Sequence, residues 1–272
     1  MGLPAPAADR TCLVTGASSG IGAEIARRLS ERGWGVTLVA RREDRLRALA
    51  DELAAAHGVR AEVVSADLTD VAARAALVDA MAERDLEVAG LVNNAGFSTM
   101  NPVAGSDPDR ELAMLRTNVE AVAHLCSLFV PGMVERGRGA VLNVASTAAF
   151  QPLPGQAGYA ASKAFVLSYT QALGQELRGT GVTATALCPG PVETEFADVA
   201  GLGGEQAGEA LPRFMWVPAP EVATAAVDGM QRGRGVVIPG PANRLTATLA
   251  PLTPKSLLLP LLAKNHPALK RR

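Results

Sequence analysis

Tyr159 and Lys163 stand four residues apart in Tyr-Ala-Ala-Ser-Lys, inside a stretch of helical period, so both side chains share one helix face. A free tyrosine, with a pKa near 10, exchanges protons poorly at neutral pH. A lysine ammonium about 4 Å from the phenol, at an effective dielectric near 20, favours the phenolate by roughly 4 kcal/mol at most. That is up to about three pKa units, enough to make the tyrosine a usable general acid or base. Ser146 lies thirteen residues before Tyr159, just after the apolar run Ala-Val-Leu-Asn-Val-Ala. Its hydroxyl can hold a substrate oxygen where charge develops. The bland alternative is a buried aromatic and a surface charge, and a chain with two tyrosines does not exclude it by composition.

A second group of residues is suited to binding an anion. Residues 15–22, Thr-Gly-Ala-Ser-Ser-Gly-Ile-Gly, follow the first strand directly and open a helix. Gly16, Gly20 and Gly22 allow a tight turn and let backbone N–H groups approach a pyrophosphate at the helix N-terminus. The spacing differs by one residue from the usual dinucleotide fingerprint, so its position between strand and helix gives it weight. Ser18 and Ser19 either bond the phosphates or shape the turn. At the end of the second strand an acid would hold the ribose hydroxyls of NAD, whereas arginine suits a 2′-phosphate. Here the residues are Ala40-Arg41-Arg42, with no acid before Glu43. Arginines at a helix start oppose the dipole. A second reason for them follows, and the expected cofactor is NADP(H); a solvated helix start is the competing explanation.

These groups need a scaffold. Short apolar runs at 11–15, 35–40, 61–65, 88–92, 140–145, 182–188 and 236–238 alternate with helix-length segments. Nearly uniform apolar runs are expected of strands covered on both faces. Residues 112–133 place Leu112, Leu115, Val119, Val122 and Met133 near a 3.6 period, which predicts one long helix. The alternation predicts an α/β fold, a doubly wound parallel sheet of about seven strands with helices on both faces. Residues 1–240 are expected to form a single domain, with a mobile loop and short helix at about 193–218 for the substrate. Residues 241–272, interrupted by five prolines, suit short helices on the surface or on a partner subunit.

Taken together, Thr15–Gly22, Asp67, Asn93-Asn94-Ala95-Gly96, Asn118, Ser146, Tyr159-x-x-x-Lys163, Pro189-Gly190 and Thr194 resemble the short-chain dehydrogenase/reductase family over roughly residues 10–240, in its order and spacing. The resemblance implies a Rossmann-type fold and an NADP(H)-dependent hydride transfer between nicotinamide and a carbonyl or secondary alcohol. Tyr159 would be the general acid, with Lys163 lowering its pKa and holding the nicotinamide ribose. Ser146 would orient the substrate oxygen, and Asn118 would hold a water linking Lys163 to solvent. The cofactor would lie along Gly16, Ser18, Ser19, Gly20, Ile21, Gly22, Arg41, Arg42, Asp67, Leu68, Asn94, Ala95, Gly96, Pro189, Gly190, Val192 and Thr194. Asn93 would bond across neighbouring strands. The long helices at about 107–135 and 157–178 would pack on their counterparts in a homodimer or homotetramer.

Bulk properties narrow the classes further. A net charge of −1 argues against a nucleic-acid partner, which needs a basic face. Cys12, Cys126 and Cys188 are odd in number and far apart, as expected of reduced thiols in the cytoplasm. His57, His124 and His266 lack metal-ligand spacing, so no metal is expected. No secretory signal is visible in the first residues, and Pro6 stands where myristoylation wants Ser or Thr. No run reaches the roughly 20 apolar residues of a membrane helix. Membrane contact by Ser256–Leu262 is disfavoured because Pro260 interrupts that short segment. Phe97, Phe150, Phe196, Leu202, Leu211, Phe214, Met215 and Trp216 suggest an apolar pocket and a lipophilic small-molecule substrate. The alternatives are an NAD(H)-dependent alcohol dehydrogenase and a non-catalytic NADP(H) sensor, which would not need the tyrosine, lysine and serine.

Overall fold

Runs too uniformly apolar to have a wet face become the central strands. In β1 (Arg10–Thr15) every residue after the first is buried, and all six of β5 (Gly139–Val144) are. A computed structural model describes residues 2–195, 212–265 and 267–270. The remaining strands are β2 (Gly35–Ala40), β3 (Ala61–Ser65), β4 (Glu87–Asn93), β6 (Val182–Leu187) and β7 (Val236–Val237). All pair in parallel, in the order β3-β2-β1-β4-β5-β6-β7. The sheet is Rossmann-like and doubly wound, as expected, and the strand order reverses beside β1.

Crossover helices cover both faces. One apolar layer joins the sheet to α1 (Gly20–Glu31), α2 (Glu43–His57) and α7 (Ala219–Gln231) through residues such as Val14, Ile25, Leu38, Leu46 and Met230. The other joins it to α3 (Val71–Ala82), α5 (Ala121–Glu135) and α6 (Ala157–Glu176) through Leu13, Leu77, Leu91, Leu125 and Leu173.

The single helix expected through 112–133 is divided. Asp107 caps the short α4 (Pro108–Leu115) by accepting from the N–H groups of Asp109 and Arg110. One π-helical turn, Arg116–Glu120, then leads into α5. A π-turn inserts an extra residue into the helical ladder and re-aims the side chains within it; here it contains the buried Asn118.

Most of the expected substrate loop, residues 196–211, lies outside the described residues, including Phe196, Leu202 and Leu211. Its described end forms a short 3-10 turn at Arg213–Met215. Beyond β7 follow α8 (Pro241–Leu249), α9 (Lys255–Asn265) and α10 (Pro267–Lys270).

Candidate active site

In an open α/β sheet the ligand crevice lies beyond the carboxyl ends of the strands where their order reverses. Here that is the gap between the ends of β1 and β4. Thr15 ends β1, and its Oγ1 accepts from the N–H groups of Asn94 (3.0 Å) and Ala95 (3.1 Å) while donating to the Val92 carbonyl (3.2 Å). Asn94 returns its Nδ2 to the carbonyls of Thr15 and Gly16, at 2.9 and 3.3 Å. Gly16 has φ +66°, and a Cβ there would lie 2.8 Å from the Ala95 Cα. One at Gly22 would lie 2.3 Å from Asn94 Nδ2. The turn therefore presents bare backbone at the start of α1, a cradle that a dinucleotide pyrophosphate fits. Ile21 packs against the core beneath it. Thr194 faces Gly20 across the crevice, 3.3 Å from where its Cβ would be.

The two arginines part company. Arg42 reaches back over the turn, donating to Ser18 Oγ (3.0 Å) and Ser19 Oγ (2.8 Å). Its other nitrogen pairs with Glu195 at 3.0 Å, and Glu195 also pairs with Arg45 at 2.6 Å. These two hydrogen-bonded guanidiniums hold the Glu195 carboxyl down to about 2. Arg41 is exposed and acts on Asp67 only through its charge. Asp67 is fixed by Thr69, whose N–H and hydroxyl both donate to Oδ1 at 2.9 Å, and this lowers its pKa. Leu68 is buried beside it.

The candidate reacting group, Ser146, Tyr159 and Lys163, assembles beyond the end of β5. Ser146 follows that strand and caps a 3-10 turn (Thr147–Phe150), its Oγ accepting from the Ala148 N–H at 3.1 Å. Tyr159 and Lys163 sit one turn apart on α6, both facing inward, 8% and 4% exposed. The Ser146 side chain is hydrogen-bonded to the phenol. Lys163 Nζ donates to the Val144 carbonyl at 2.9 Å and lies 5.8 Å from the centre of the tyrosine ring. Asn118 Oδ1 accepts from the Phe97 N–H (3.1 Å), and its Nδ2 donates to the Phe97 carbonyl (3.0 Å) and Ser162 Oγ (3.1 Å). One lone pair of Oδ1 is left over by these bonds. Asn118 Oδ1 and Lys163 Nζ both flank Gly96, 2.8 and 3.4 Å from where its Cβ would be. Phe97, Met114, Ala148 and Leu153 pack with Tyr159 as an apolar wall.

The electrostatics differ from the expected arrangement. Lys163 was expected to bring the phenol towards neutrality, but burial pushes Tyr159 up to about 12, with Ser146 partly opposing it. The ammonium is committed to a backbone carbonyl, and desolvation brings Lys163 itself down to about 8. At neutral pH the pair is therefore a protonated phenol beside an ammonium.

A family model for short chain dehydrogenases matches residues 10–201. The chain belongs to the short-chain dehydrogenase family. It is therefore an oxidoreductase of the pyridine-nucleotide class. Among its relatives is sulfoacetaldehyde reductase 2 of Chromohalobacter salexigens, 39% identical over 74% of this chain and 80% of that protein. A short-chain dehydrogenase from Sphingobium yanoikuyae solved with NADPH is 34% identical, with a TM-score of 0.79 over 92% of this chain and 95% of the other. A short chain dehydrogenase/reductase from Burkholderia phymatum solved with NAD is 29% identical, with a TM-score of 0.78 over 88% and 92%.

Two positioning residues, Arg74 and Asn243, escaped the sequence reading. Thr15, which the sequence placed at the head of the glycine turn, also pins the ends of β1 and β4 together. Arg74 is fully buried, donates to the Leu68 carbonyl at 3.2 Å and pairs with Glu120, so it fixes the Leu68 backbone. Asn243 is buried against Gly190 and donates to the Met215 carbonyl (2.9 Å), tying α8 to the loop after β6. Pro189 accepts there from Ser146 Oγ at 3.4 Å, and Val192 packs on the core. Asn93 pairs across the sheet with Asn143 at 2.8 Å, as the sequence suggested.

Proposed function

We propose that this chain is an NADP(H)-dependent reductase of lipophilic ketones or aldehydes, reversible to the secondary alcohol. The observation that carries the chemistry is the buried, protonated Tyr159, hydrogen-bonded to Ser146 and one helical turn from Lys163. A reduction consumes a proton at the substrate oxygen, and a protonated phenol is the form that donates one. The cofactor supplies the hydride when bound. Gly16, Gly20 and Gly22 with Ser18, Ser19 and Arg42 would hold its phosphates, and Asp67 and Leu68 would border the adenine. Asn94, Ala95, Gly96 and Pro189–Thr194 would line the nicotinamide end, with Lys163 at the ribose.

Ser146 orients the substrate oxygen, and Tyr159 Oη passes its proton to that oxygen as negative charge develops there. The Lys163 ammonium and the Ser146 hydroxyl then stabilise the phenolate. The remaining lone pair of Asn118 Oδ1, close to Lys163 across Gly96, can hold a water through which the phenol regains its proton. The wall of Phe97, Met114 and Leu153 favours an apolar substrate body.

Arg42, lying over Ser18 and Ser19, supports the phosphorylated cofactor. Titrating the protein with NADPH and with NADH, following nicotinamide fluorescence, tests this. NADPH is expected to bind at least about tenfold tighter, roughly 1.4 kcal/mol, and Arg42→Ala is expected to remove most of that margin. Equal or tighter NADH binding would replace this reading with an NAD(H)-dependent alcohol dehydrogenase.

A further inference from the structure

The last part of the chain has a charge and a surface unlike the rest. Residues 241–272 contain Arg244, Lys255, Lys264, Lys270, Arg271 and Arg272 and no acidic residue, leaving 20 basic against 27 acidic residues in the remainder. On the described part of this segment five leucines face outward, while Leu258, Leu259 and Leu262 are half-buried. Leu245 is 60% exposed, Leu249 50%, Leu252 76%, Leu257 68% and Leu261 59%. Leu245 and Leu249 are spaced i,i+4 on α8, as are Leu257 and Leu261 on α9, so each helix shows an apolar stripe. Arg244, Lys255 and Lys264 are exposed beside those stripes. The sequence alone left this stretch on the surface or on a partner subunit and disfavoured membrane contact; the exposed leucines beside cations are the added observation.

We propose that α8, Leu252 and α9 form a docking surface for an anionic phospholipid bilayer. Exposed leucines with a cationic border match an interface offering acyl depth under negative headgroups. The surface lies on the bilayer and does not cross it. α9 has eleven residues, about 16 Å at 1.5 Å per residue, roughly half of the 30 Å hydrocarbon core. Among the described residues no helix is long and apolar enough to cross a membrane. A two-fold pairing of this surface with itself would set Arg244, Lys255 and Lys264 against their own copies with no acid of α8 or α9 between them. The acidic remainder of the chain is repelled by the same headgroups, which fixes the orientation. α8 also packs against the Thr147–Phe150 and Arg213–Met215 turns, so docking brings that side of the catalytic cleft to the bilayer.

The test is co-sedimentation of the full chain with phosphatidylcholine vesicles, with and without phosphatidylglycerol. Partitioning is expected to be at least about tenfold stronger on the anionic vesicles and to fall when salt rises to about 0.5 M. Lys255→Glu with Lys264→Glu, and separately Leu249→Gln with Leu252→Gln and Leu257→Gln, are each expected to abolish it. NADPH affinity, measured on the same variants, is expected to stay at the wild-type value and shows that they are folded. Equal partitioning on neutral vesicles, or none on either kind, overturns the proposal. So does a fall in oligomeric mass of the leucine variant without vesicle binding by the wild type, which assigns the surface to a second copy of the chain.

Discussion

Replacing Lys163 with methionine is expected to stabilise the protein at neutral pH while ending turnover. Burial lowers this lysine from 10.5 to about 8, whereas in the unfolded chain it titrates near its ordinary value. At 1.36 kcal/mol per pKa unit, holding the ammonium in the folded site costs about 3 kcal/mol. The folded pKa is depressed, so between about pH 8 and 10.5 the unfolded chain binds more protons and stability rises with pH. Below pH 8 the full cost is present. Methionine keeps most of the side-chain volume but loses the bond to the Val144 carbonyl, a loss of about 1 kcal/mol. The net gain at pH 7 is therefore about 2 kcal/mol, disappearing as the pH approaches 10.5. Urea denaturation of both proteins at pH 7 and near pH 10 measures it, at one protein concentration because self-association shifts apparent stability. If Lys163→Met is less stable than wild type at pH 7 by a margin that does not change at high pH, the buried-ammonium account is wrong.

Three further outcomes follow from the same geometry. Carbonyl reduction needs Tyr159 protonated, which holds to about pH 12, and Lys163 charged, which holds to about pH 8; kcat/KM for reduction should be level below pH 8 and fall above it, and a rise there would contradict the assigned roles. Gly22→Ala puts a Cβ 2.3 Å from Asn94 Nδ2 and 2.5 Å from the Gly16 carbonyl oxygen, so calorimetric titration should show dinucleotide affinity reduced by at least about tenfold, with retained affinity refuting the cradle. Glu195→Gln releases Arg42 from its exposed ion pair; NADPH should then bind up to about fivefold tighter, the most such a pair returns, while NADH affinity stays put, and equal changes for both cofactors would show that Arg42 does not read the 2′-phosphate.

The candidate site residues stood out in the sequence because their types are unusual in their places. Glycines between a strand and a helix, and a tyrosine and lysine on one helix face, have few other reasons to occur together. Strands such as β1 and β5 were legible because their runs lack a polar face. The π-turn at Arg116–Glu120 was not, since the helical period continues smoothly through it and only the backbone shows the extra residue. Nor was the direction of the Tyr159 shift. The sequence supplies the lysine but not the burial, and it is burial that raises the phenol. Asn243 and Gly190 are brought together by the path of the chain, and their spacing announces nothing. The exposed leucines of α8 and α9 lie in a stretch that the sequence left either on the surface or on a partner, a choice that composition does not make.

The central claim is that Tyr159 delivers the proton that completes hydride transfer to a carbonyl. NADPH labelled with deuterium at the transferring position, incubated with a panel of lipophilic ketones, tests it directly by mass spectrometry of the alcohols formed. Wild type is expected to give deuterated alcohol. Tyr159→Phe is expected to bind NADPH as tightly yet transfer at least about a hundredfold more slowly, the least that loss of a general acid costs. Transfer by Tyr159→Phe at the wild-type rate would remove the tyrosine from the mechanism.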